Sequence, residues 1–213
     1  MKVYCIPGLA ADRRVFRHIR LPEKHEAVFL DWLRPLPREA LTAYARRMAE
    51  QVDTSMPFYV MGLSLGGMIA SEIVRIHPQG KLILVASIPH AGHLPAYYRW
   101  MQRAKLQHVV PVSAIKTGVY LRRLFTTESA EDKTMLRTMI RDADPYFIRW
   151  SLNAVLEWET REAPESVIHI HGTKDIVLPH RYTRPTHIIP GGSHLMIFDR
   201  AREINRVLAE VLP

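Results

Sequence analysis

The sequence predicts an α/β fold: a doubly wound, mostly parallel six-stranded sheet with a helical insertion before its last two strands. Three observations carry this expectation. Short β-branched apolar runs alternate with longer stretches of helical spacing. Residues 88–164 break that rhythm with aromatic and methionine residues at helical intervals. The 213 residues, 47% hydrophobic and 23% charged, suit one soluble domain, 1–213, with a sizeable core.

The expected strands are Val3–Ile6, Ala27–Asp31, Phe58–Gly62, Leu82–Ala86, Val167–Ile170 and His187–Ile189. Each is a short run bounded by turn-forming residues, as a strand buried on both faces should be. Met1–Ile6 carries one basic residue and too short an apolar stretch for a secretory signal, so it reads as the first strand. Helices are expected over Ala40–Val52, Gly66–Ile76 and Arg202–Leu212. In the first, Leu41, Tyr44, Ala45, Met48 and Val52 fall on one face. Pro78 and Gly80 end the second. Within 88–164, Tyr97, Tyr98, Trp100, Met101, Phe125, Met135, Met139, Tyr146, Phe147 and Trp150 are expected mainly to pack the insertion against one end of the sheet.

The formal charge of +8 is spread out, with excesses of +4, +3 and +1 over residues 1–87, 88–164 and 165–213. A spread excess acts on solubility and long-range attraction, and no nucleic-acid-binding module accompanies it, so no nucleic-acid partner is expected. Arg99, Arg103, Arg122, Arg123, Arg137 and Arg141 read as solvated surface of the insertion. No run approaches the ~20 apolar residues of a membrane span. The single cysteine, Cys5, allows no intrachain disulfide and fits a cytoplasmic setting; inside a strand it reads as a small buried hydrophobe.

The chemistry is concentrated at Phe58–Ala70, where an apolar strand passes through Gly62-Leu63-Ser64-Leu65-Gly66 into a helix. A sharp strand-to-helix turn strains the serine backbone and leaves no room for neighbouring side chains. Gly62 and Gly66 remove them, Gly67 lets the helix approach the sheet, and the Ser64 hydroxyl projects as a nucleophile. A serine needs a base. His194 follows the last strand and the Gly191-Gly192 pair, and Asp175 follows the strand before it. Both belong at the carboxyl edge of the sheet, with Asp175 orienting the imidazole. The order Ser64, Asp175, His194 is the one expected for this architecture. Asp142, Asp144 and Asp199 are weaker candidates for the acid. His169 and His171 share a strand face without an evident third ligand, so strand-end packing and hydrogen bonding is preferred over metal binding.

Oxyanion donors are expected from the backbone N–H of Leu65 and of Leu9, with Ala10 as alternative to Leu9. A strand order of 2-1-3-4-5-6 would bring Leu9 and Ser64 together at the topological switch point.

On these residues the chain resembles the α/β-hydrolase family, especially its small esterase-like members with a helical cap. The resemblance runs from the first strand to the last helix, and implies the usual eight-stranded fold without its first two strands. It also implies a cap at about residues 88–164. Pro7-Gly8 stands where the family commonly has His-Gly, and Phe16 falls at an aromatic position often found after that loop. The expected activity is hydrolysis of a small-molecule carboxylic ester or thioester through an acyl-enzyme, with no metal or organic cofactor. A lyase on the same residues, or a non-catalytic ligand-binding protein, is the alternative.

Overall fold

A computed structural model describes residues 1–104, 111–113 and 129–212. Six strands, β1 (Lys2–Ile6), β2 (Glu26–Phe29), β3 (Phe58–Leu63), β4 (Gly80–Val85), β5 (Val167–Gly172) and β6 (His187–Ile189), form one sheet. Their order is β2-β1-β3-β4-β5-β6, and every neighbouring pair is parallel. The expected order holds. Strand ends differ from expectation by up to two residues. β4 stops at Val85 because Ala86 turns to φ 46°, and β5 continues through His171 and Gly172 because these pair with Ile188 and Ile189.

Both faces of the inner strands are covered, which explains their nearly unbroken apolar runs, while the edge strand β2 is largely exposed. Tyr4, Ile6, Val60, Leu82 and Leu84 point to one core, shared with α1 (Leu41–Ala49) and α2 (Leu65–Ile76). Val3, Cys5, Met61, Ile83 and Val85 point to the other, beneath the C-terminal helix Ala201–Val211. Phe16, in a short 3-10 turn after β1, joins this second core, as simple packing would have it. Burial pushes the Cys5 thiol up to about 12, which makes it an inert packing residue.

Between β4 and β5 the described residues form α3 (Ala96–Arg103), α4 (Ala130–Asp142) and α5 (Pro145–Leu156), with no strand among them. The Ser129 hydroxyl and the Asp144 carboxylate cap α4 and α5 by accepting from Asp132 N and Tyr146 N. Trp150 anchors α5. Its ring lies 4.3 Å from that of Tyr44, and its Nε1–H donates to the Glu39 carbonyl at 2.7 Å. The far side of α4 is tied down by His18, whose Nε2 sits 3.0 Å from the buried Asp132 carboxylate.

The aromatic and methionine residues of this segment divide. Met139, Phe147 and Trp150 are buried in the cores, as expected. Tyr97, Trp100 and Tyr146 are exposed, so the expectation of packing fails for them. Their helical spacing is real, but it places them on outward faces. Phe125, Arg122 and Arg123 lie outside the described residues. Arg99, Arg103, Arg137 and Arg141 are exposed, and Arg141 Nε donates to Asp142 at 2.9 Å. No helix among the described residues is long and apolar enough to cross a membrane.

Candidate active site

Ser64 sits between β3 and α2 with φ 50° and ψ −118°, a conformation that costs a non-glycine residue about 1–3 kcal/mol. Hydrogen bonds to its backbone N–H and carbonyl hold it there. Its N–H donates to Val85 O at 3.1 Å, while its carbonyl accepts from Gly67 N at 2.9 Å and from the Ser87 hydroxyl at 2.6 Å. The glycines are steric requirements. A Cβ on Gly62 would overlap the backbone of Gly66 and Gly67, and one on Gly66 would overlap the backbone of Ile6 and Pro7. A Cβ on Gly67 would strike Ser87, at the end of β4, so this glycine sets how closely α2 approaches the sheet.

The structure brings Ser64, His194 and Asp175 together. His194 Nε2 is 2.9 Å from Ser64 Oγ, and Nδ1 is 2.8 Å from Asp175 Oδ2. Asp175 is 3% exposed and His194 7%. Asp175 Oδ1 accepts from Val177 N at 2.9 Å and Leu178 N at 2.8 Å. Burial alone would raise this carboxyl. The attraction of the His194 imidazole, with hydrogen bonds from His171, His194 and the Leu178 amide, outweighs burial and holds it well below the usual carboxylate range.

Asp142 and Asp144 are occupied elsewhere, the one beside Arg141 and the other capping α5. Asp199 lies in the single helical turn Met196–Asp199 that follows the His194 loop, where its Oδ1 meets no partner among the described residues.

His169 and His171 are hydrogen-bonded strand-end residues, as expected, but His171 has a further neighbour that its spacing did not disclose. Its Nε2 lies 2.7 Å from the Leu178 carbonyl and 3.2 Å from Asp175 Oδ2. The carbonyl can only accept, so the ring proton is on Nε2. Nδ1 can then accept from His169 Nε2–H, 3.0 Å away. Desolvation, then the neighbouring His171, pushes His169 down to about 3, which keeps it the neutral donor this arrangement requires.

The loops carrying Asp175 and His194 are joined to each other. Thr173 N donates to Ile189 O, Lys174 N to Gly192 O and Gly191 N to Thr173 Oγ1. Gly172 and Gly192 pass so closely that a Cβ on Gly172 would overlap the Gly192 backbone. Sequence reading missed this contact, and Ser87 with it. The signal available was a glycine ending β5 and a glycine pair following β6.

Leu9 lies in the turn after β1, where Ala11 N donates to Gly8 O at 3.1 Å and Ala10 takes φ 58°. Leu65 is the first residue of α2, where the opening N–H groups have no intrahelical acceptor. Leu9, Val177 and Ser64 line both of two cavities of about 180 and 170 Å³. Leu136, Ile140, Val15 and His194 enclose the first; Leu65, Met68, Tyr98, Met101, Leu152 and Val155 enclose the second.

A serine, an imidazole and a carboxylate in this order, at the carboxyl edge of a parallel sheet, are accompanied by clear likeness to known proteins. The chain belongs to the alpha/beta hydrolase family, whose model matches residues 3–207. An uncharacterized protein of Mycobacterium tuberculosis is 26% identical over 218 residues, covering 85% of this chain and 63% of that protein. The chain thus spans less than two thirds of the length of this relative. A pimeloyl-[acyl-carrier protein] methyl ester esterase of Neisseria meningitidis is 26% identical over 223 residues, covering 94% and 85% of the two chains. Among solved structures, an esterase from Exiguobacterium antarcticum shares the fold with a TM-score of 0.78 at 18% identity, covering 99% of this chain and 91% of its own.

Proposed function

We propose that this alpha/beta hydrolase is a serine hydrolase that cleaves a small-molecule carboxylic ester or thioester through an acyl-enzyme on Ser64. The observation carrying this reading is the 2.9 Å approach of His194 Nε2 to Ser64 Oγ, with Nδ1 held by Asp175 at 2.8 Å. Because the Asp175 carboxylate accepts at Nδ1, the neutral imidazole keeps its proton there and offers a lone pair at Nε2. His194 takes the hydroxyl proton as Ser64 attacks the substrate carbonyl. Asp175 stabilises the imidazolium that results.

The tetrahedral oxygen takes up charge that backbone donors must meet; the Leu65 and Leu9 amides are the proposed pair. The positive end of α2 adds to that field. His194 then delivers its proton to the leaving alcohol or thiol, and the ester bond breaks. Water, deprotonated by the same imidazole, attacks the acyl-enzyme; the acyl–Oγ bond breaks, the imidazolium returns the proton to Ser64 Oγ, and the acid is released. In this reading α3, α4 and α5 belong to a cap, and residues of all three wall the substrate cavities. The similarity to the Neisseria methyl ester esterase supports ester cleavage as the reaction class.

A fluorophosphonate probe tests the nucleophile. Wild-type protein should label at Ser64, and Ser64→Ala should lose both labelling and about 10⁶-fold in kcat for p-nitrophenyl esters. Labelling elsewhere, or undiminished turnover in Ser64→Ala, would overturn the reading. Labelling of Ser64 with no turnover of any ester or thioester would point to non-hydrolytic chemistry.

A further inference from the structure

Ser64 lines two apolar cavities that meet at Leu9, Ser64 and Val177. Neither cavity includes a lysine, arginine, aspartate or glutamate among its described lining residues. Burying an unpaired charge against such walls costs several kcal/mol, so a charged group is disfavoured on either side. The two volumes, about 180 and 170 Å³, also set a size. A protein cavity of about 150 Å³ holds one benzene molecule, so each has room for roughly six carbons.

The position of the base distinguishes the two. The imidazole must hand its proton to the leaving oxygen, so the leaving alcohol has to lie on the His194 side of the tetrahedral carbon. His194 lines the first cavity, with Leu136 and Ile140 of α4, and is absent from the lining of the second. The second is walled by Tyr98 and Met101 of α3 and Leu152 and Val155 of α5. It therefore remains for the acyl chain.

We infer that the substrate is an uncharged ester with an apolar group on each side of the scissile bond, its acyl chain between α3 and α5 and its alcohol against α4. The inference rests on Ser64 acting as the acylated nucleophile. It commits to substrate chemistry beyond that role: medium-length aliphatic or aryl acid, apolar alcohol, no charged carrier within either cavity.

Two ester series test it, one varying the acid from acetate to decanoate on p-nitrophenol, the other varying the alcohol from methyl to octyl on hexanoic acid. In the wild-type protein kcat/KM should peak near six carbons in the acid series and fall by tenfold or more at decanoate. A monoester of a short dicarboxylic acid should be at least tenfold poorer than the matching diester. Val155→Trp should shift the chain-length optimum of the acid series toward acetate and, while slowing all hexanoate esters, leave the optimum of the alcohol series where it was. Ile140→Trp should shift the alcohol optimum toward methyl and leave the acid optimum where it was, with all p-nitrophenyl esters slowed. Val155→Ala and Ile140→Ala, which place no new bulk in the fold, should lengthen the tolerated acid and alcohol respectively.

Fluorophosphonate labelling of Ser64 in every variant separates this inference from the nucleophile itself. If labelling persists while the responses are crossed, or while both series ignore all four variants, the assignment of cavities is wrong. Equal or better turnover of the charged monoester would overturn the apolar substrate class. Loss of labelling in the wild-type protein would instead remove the serine hydrolase reading.

Discussion

Replacing Asp175 by asparagine would reverse one hydrogen bond and leave the side-chain volume almost unchanged. Asp175 Oδ1 accepts from the Val177 and Leu178 amides, which can only donate, so the asparagine carbonyl oxygen must stay there. Its NH₂ then faces His194 Nδ1 and His171 Nε2. His171 cannot become an acceptor at Nε2 without releasing the Leu178 carbonyl at 2.7 Å. His194 is the partner free to adapt, and it adapts by accepting at Nδ1. Its proton moves to Nε2, the nitrogen 2.9 Å from Ser64 Oγ. A protonated Nε2 cannot take the serine proton. In serine proteases this tautomer reversal costs about 10⁴-fold in kcat, or about 5.5 kcal/mol of barrier. Initial rates of p-nitrophenyl hexanoate hydrolysis near neutral pH read the loss directly, and a circular dichroism melt shows whether the variant is folded. A folded Asp175→Asn protein keeping more than about a tenth of the wild-type rate would refute the reasoning, since the expected loss is about 10⁴-fold.

Gly172→Ala places a methyl group into the Gly192 backbone and must displace the loop that carries His194. Since misplacement by about 1 Å can cost about 10²-fold, kcat/KM should fall by that order while ester chain-length preference is kept; a wild-type rate would mean the contact positions nothing. His169, held down to about 3 by burial, gives stability a pH dependence of defined sign. The unfolded chain takes up this proton near pH 6.5 and the folded one does not, so the contribution is complete above about pH 6.5 and is lost as pH falls toward about 3. Urea unfolding across that window should show His169→Leu with a slope shallower than wild type by up to about 1.4 kcal/mol per pH unit, and identical slopes would contradict it.

The strand order and the meeting of Ser64, Asp175 and His194 were legible because each rests on a local signal. Apolar runs mark strands, glycines flank Ser64 because a Cβ there would strike the backbone, and Asp175 and His194 each follow a strand. Cys5 and Phe16 were equally plain as core. His171 was harder. Its partner Asp175 is only four residues away, but the contact depends on the loop folding back so that Leu178 O reaches the ring. The contact between Gly172 and Gly192 links different strands and leaves no periodic trace. The exposure of Trp100 and Tyr97 shows the limit of helical spacing, which fixes which residues share a face without saying what that face meets. The two cavities depend on how α3, α4 and α5 sit over the sheet, and no motif encodes that placement.

The bonds from Thr173, Lys174 and Gly191 that lace the acid-bearing and base-bearing loops together have a wider consequence. Every bond in that seam is made between residues that follow β5 and β6 or by those strands themselves. The loop carrying Asp175 also meets α3, where the Tyr97 and Tyr98 hydroxyls donate to the Val177 carbonyl at 3.1 and 3.2 Å. Exchanging the helices over the sheet for others should therefore retune which esters enter, and should keep bond cleavage only where donors equivalent to those two hydroxyls still hold the Asp175 loop.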